Sequence, residues 1–183
     1  MGAETELGSL ALFMAVWVPM MAAMMLPGAV AAFVRFARAT GRTAGTYRFA
    51  ASYLLVWSAT GLLVYALYRP HGTTAAGVLT LAAGLYELTP FKRNCRQSCR
   101  TEVRSGTRLG LACVGSSGGL MLILVALGTM SVTWMCIVGA VVLVQKLLPP
   151  ISLIDMPLAL AIVVLGAVVI VAPSVIPGLT PTM

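Results

Sequence analysis

Apolar residues run through this chain in long unbroken stretches, not at alternate positions, and short polar loops divide them. A helical membrane crossing needs about 20 largely apolar residues. Six segments come close: 8–26, 47–68, 73–91, 109–129, 131–149 and 156–177. Closed barrels also satisfy the backbone inside lipid, but their strands alternate apolar and polar positions, so the pattern predicts an all-α, polytopic bundle of about six transmembrane helices. The third segment is interrupted by Thr, Gly and Glu87, which predicts that it is tucked among the others. The fourth holds Gly110, Ala112, Gly115, Ser116, Ser117, Gly118 and Gly119. Small residues let helix backbones approach closely, which makes this segment the expected centre, with the third and fifth beside it.

Prolines and arginines add punctuation and orientation. Pro19 is expected to kink the first segment, and Pro27 and Gly28 to end or bend it. Residues 29–39 then read as a short helix on the inner membrane surface, with Phe33 and Phe36 toward lipid and Arg35 and Arg38 toward headgroups. Arg35, Arg38, Arg42 and Arg48 follow the first segment, Lys92, Arg93, Arg96, Arg100, Arg104 and Arg108 follow the third, and Lys146 closes the fifth. With six crossings all of these face one side, leaving Arg69 and His71 on the other. The positive-inside rule then puts both termini outside and the basic loops in the cytoplasm.

The chain has 183 residues, 60% hydrophobic and 9% charged, with a mean hydropathy of +0.98. These values lie outside ordinary soluble usage and predict one integral membrane domain over 1–183. Residues 1–7 carry Glu4 and Glu6 and no basic residue, so the first segment reads as a retained span and not a signal peptide. The net charge of +7 sits in loops beside spans, where it orients helices and does not bind nucleic acid.

Candidate chemistry gathers between residues 86 and 121. Cys95 and Cys99 share a face if their loop is helical, and Cys113 lies about one turn into the fourth segment from the same side. Met20, Met21, Met24 and Met25 sit at the inner end of the first. Thiolates and thioethers suit copper(I), with zinc second, and cytosolic exposure disfavours a disulfide. Methionine is also ordinary filler, and CxxxC is a weaker metal signature than paired CxxC motifs. Glu87, the one acid inside a predicted span, needs a partner. Lys146 is the leading candidate, followed by Lys92 and Arg93. Trp17, Trp57 and Trp134 read as packing or interface anchors. No acid, base and nucleophile constellation marks an enzyme.

Three blocks carry a resemblance: WVPMMAAMMLPG at 17–28, YELTPFKRNCRQSCR at 86–100, and 110–149 with CVGSSGGLM, VALGTMSVTWM and QKLLP. They resemble a bacterial domain-of-unknown-function family of predicted metal-binding integral membrane proteins. The resemblance implies a metal-handling protein of the bacterial inner membrane. It puts Met20, Met21, Met24, Met25, Cys95, Cys99 and Cys113 on motif positions. The chain departs from the family at Ser116, Ser117 and Gly118, where the family usually has two cysteines and a Trp, and at Gln145, where it commonly has Glu. Those departures remove soft ligands.

The expected function is therefore soft-metal handling at the cytoplasmic face, with copper(I) as the cargo. Cys95, Cys99, Cys113, Met21, Met24 and Met25 are the expected ligands, and Glu87 with Lys146 the supporting charge pair. The alternative is a small accessory or assembly subunit of a membrane complex, without its own metal site.

Overall fold

The computed structural model describes residues 9–41, 43–67, 73–102, 104–127, 132–148 and 152–172. Within them the chain forms helices α1 (Leu10–Thr40), α2 (Thr43–Leu67), α3 (Thr73–Glu87), α4 (Pro90–Thr101), α5 (Gly106–Leu127), α6 (Val132–Leu147) and α7 (Ser152–Val171). Three stretches are long and apolar enough to cross a membrane: Leu10–Thr40, Ala44–Leu67 and Gly106–Ala126. Met135–Leu147 and Asp155–Val171 are shorter apolar helices. Arg69, His71 and the prolines beyond 172 lie outside the described residues.

The first expected boundary is corrected. α1 does not end at Pro27 but continues through both prolines to Thr40. Gly41 closes it in the left-handed conformation (φ 61°), its N–H bonding to Ala37 O, the usual task of a glycine at that position. Residues 29–39 are thus the second half of one long helix. Its aromatic face turns inward to α2: Phe36 stacks on Phe49 with ring centroids 4.4 Å apart, and Phe33 meets Phe49 and Tyr53 edge-on. The expectation that these rings face lipid fails because α2 offers a matched aromatic surface. Further up, Trp17 Nε1 donates to Trp57 O at 3.0 Å, and Gly61 leaves room for the indole.

α5 is central, packing against α2, α3, α4 and α6. Three of its glycines admit three different helices. A methyl on Gly110 would press Val56 of α2, one on Gly115 would press Cys95 of α4, and one on Gly119 would press Glu87 and Tyr86 of α3. α3 makes its most extensive contact with α7. There Gly77 and Gly84 face Ile170 and Val163, and Gly166 sits against the Leu81 backbone. The glycines that interrupt the third segment are therefore its packing surface, as expected for helices that meet through small residues.

Candidate functional site

α4 is the element that organises the site. Thr89 caps its start, accepting from Lys92 N at 3.3 Å, and Pro90 takes the first turn, where a missing N–H costs nothing. This corner turns the chain back so that Lys92 and Arg96, four residues apart, point into the bundle, 2% and 4% exposed. Cys95 and Cys99, also four apart, lie on the side toward α5.

The buried polar groups close on one another. Lys92 Nζ pairs with Glu87 Oε2 and donates to Gln145 Oε1 at 3.2 Å. Gln145 Nε2 donates to the same Glu87 oxygen at 3.1 Å. Burial holds the Lys92 pKa below its ordinary value, with the Glu87 carboxylate acting the other way. One residue layer on, Arg96 pairs with Asp155 in the first turn of α7. It also donates to Gln145 O at 2.6 Å and Leu148 O at 3.1 Å, satisfying carbonyls at the end of α6 that the helix leaves open.

The expected Glu87–Lys146 pair is corrected. Glu87 takes Lys92, five residues along the same turn. Lys146, one residue past Gln145 and so rotated about 100° around α6, points to α1 and donates to Met25 Sδ at 3.3 Å. Gly28 admits the Lys146 stem, since a methyl there would collide with Lys146 Cδ.

The sulfurs divide into two sets. Cys99 and Cys113 are joined, with Cα atoms 5.4 Å apart, which corrects the expectation that a disulfide is disfavoured. That expectation rested on compartment alone, whereas the α4–α5 turn places the two side chains in direct opposition. Cys95 remains a free thiol, one turn before Cys99, with its sulfur against Gly115. Burial pushes its pKa up. Ser116 and Ser117 both donate to Cys113 O, at 2.9 and 2.6 Å.

On α1, Met21 and Met25 are fully buried, and Met24 approaches Gly139 of α6. Met25 is the midpoint of the 31-residue helix. The end of α6 meets it there. Among the described residues no three His, Cys, Asp or Glu side chains converge on a point.

A cavity of about 390 Å3 opens beside the disulfide, lined by Gly28, Arg35, Arg96, Cys99, Arg100 and Lys146 among others. Arg35 bridges its rim by donating to Arg100 O. The sequence gives no role to Asp155 and reads Arg96 only as a topology signal. The Thr-Pro start of α4 and the four-residue spacing of Lys92 and Arg96 are the signals that could have found the buried face.

A family model described as PpoB2: Copper chaperone matches residues 14–169. No curated protein and no solved structure matches the chain.

Proposed function

The chain belongs to the PpoB2 copper chaperone family, and on that premise we propose that it holds copper(I) inside a bilayer and passes it to a membrane partner. Cys99 and Cys113, once reduced, are the primary thiolate ligands. Cys95 is a third thiolate from the next turn of α4. Met21, Met24 and Met25 are thioether ligands on the α1 side of Lys146. The observation that carries this reading is the meeting of the Cys99 and Cys113 sulfurs across two helices. Two side chains that can bond directly need only rotate about Cα–Cβ to flank a metal ion with bonds of about 2.3 Å. Thioethers beside thiolates favour copper(I) over zinc.

Under this proposal the protein is one integral membrane domain of the bacterial inner membrane. Six crossings, both termini outside, put the α4 corner at the cytoplasmic face. The three long apolar helices support a membrane location. The arginines of α4, with Arg104 and Arg108, support the orientation. The lipid bilayer is its solvent, and a copper-requiring membrane subunit its partner.

Copper(I) titration of the purified, fully reduced protein tests the ligands. Cys99→Ser and Cys113→Ser should each abolish tight binding. Met25→Leu should weaken binding without lowering the number of ions held. Unchanged stoichiometry in both cysteine variants would overturn the assignment, and co-purification of a partner by a protein that takes up no copper would favour an accessory subunit.

A further inference from the structure

The cavity beside Cys99 has a chemical character of its own. Arg35, Arg96, Arg100 and Lys146 line it, and among the described residues no Asp or Glu does. Among the described residues, only Arg96 of these four pairs with a carboxylate, that of Asp155 behind it. Its volume of about 390 Å3 falls within the range of small-molecule sites, about 300–1,000 Å3. The two sulfurs of the disulfide are not equivalent toward it. Cys99 is half-buried and part of the wall, whereas Cys113 is 0% exposed.

We propose that this cavity admits a small anionic thiol, a molecule bearing one thiol and carboxylates, which reduces the Cys99–Cys113 bond and so frees the copper ligands. In the first step the visitor's thiolate bonds to Cys99 Sγ and the protein S–S bond breaks. The electron pair stays on the Cys113 sulfur, which takes up a proton. A second visitor thiolate then attacks the visitor sulfur of the mixed disulfide, and Cys99 leaves as thiolate. Two visitor thiols are oxidised to one disulfide, and one protein disulfide is reduced to two thiols. The surrounding cations attract the anion and stabilise the thiolates, the form that attacks in such exchange.

That reduction arms a copper site rests on the function proposed above; the exchange itself does not. The test uses the full-length oxidised protein in detergent with reduced glutathione (anionic), 2-mercaptoethanol (neutral) and cysteamine (cationic). Cys99 and Cys113 thiols are counted by mass spectrometry. Per thiolate present, glutathione should act about tenfold faster or more at low salt, and the advantage should shrink at high salt. Lys146→Met should reduce that advantage, and so should Arg100→Gln, at an exposed position that folding tolerates.

Oxidised glutathione should form an adduct on Cys99 in Cys113→Ser, and none on Cys113 in Cys99→Ser. Rates independent of thiol charge, adducts on Cys113, or free thiols at both Cys99 and Cys113 before any thiol is added would each overturn the proposal. Copper titration of protein reduced with a phosphine instead of a thiol tests the ligand assignment separately, so the two failures are distinguishable.

Discussion

The α3–α7 contact and the α4 corner solve the same packing problem by opposite means. Between α3 and α7 the chain removes side chains: Gly77, Gly84 and Gly166 bring the backbones together. At the α4 corner it inserts charged side chains into the bundle and completes them pairwise, Glu87 with Lys92 and Asp155 with Arg96. The first arrangement has no tolerance for added atoms. The second has no tolerance for a missing partner, because a buried ion left alone is far costlier than a buried pair.

The largest test of this contrast is Asp155→Ala, which strands the Arg96 guanidinium. A loss of about 3–5 kcal/mol is expected, measured by denaturant unfolding in detergent. Arg96→Met combined with Asp155→Leu should recover most of that loss, because well-packed apolar residues often replace a buried pair without penalty. If the double variant is as unstable as Asp155→Ala, the corner depends on the hydrogen bonds of Arg96 to Gln145 O and Leu148 O and not on charge balance.

Gly166→Ala comes next. Its methyl would lie 2.7 Å from the Leu81 backbone nitrogen, and overpacking of this kind costs about 1–3 kcal/mol. Gly118→Ala is the control, since nothing lies within 4 Å of a methyl there, and it should leave the melting temperature unchanged. Equal effects at the two glycines would remove the distinction between seam and surface.

The smallest effect concerns Cys95 at the edge of the polar corner. Its pKa is raised by burial, so at pH 8 it stays protonated more than a free cysteine does. Alkylation by iodoacetamide should be slower than that of an exposed thiol and should rise with pH through and beyond the ordinary thiol range, about 8.5. Copper(I) binding that uses Cys95 should likewise strengthen as pH rises, because the proton must leave first.

Much of the helix layout was legible. Long apolar runs separated by basic loops led to an all-α architecture, and the small residues of the fourth run led to the centrality of α5. What could not be read was which way each short-range choice fell. Glu87 had three basic candidates, and a Thr-Pro corner selected Lys92 by folding it back within one turn. Glycine in α3 pointed to a helix tucked among the others, but a single chain pattern does not reveal that α7 is what packs on it. α1 crossed Pro27 because α2 presents Phe49 and Tyr53 to its second half, a tertiary reason absent from local propensity. Methionines and cysteines announced soft-metal chemistry, but the redox state of Cys99 and Cys113 depends on the opposition of two helices that no spacing rule encodes.

The bond between Cys99 and Cys113 has a mechanical meaning as well as a chemical one. It closes a ring over a sequence separation of 14 residues, and closing a loop of that size limits the unfolded chain by about 3 kcal/mol. Opening the ring forfeits that restraint, and under the proposed function an ion shared by the two sulfurs would restore it with metal in place of the covalent link. The reduced, metal-free protein would then be the least durable of the three forms, an intrinsic bias toward being either locked or loaded.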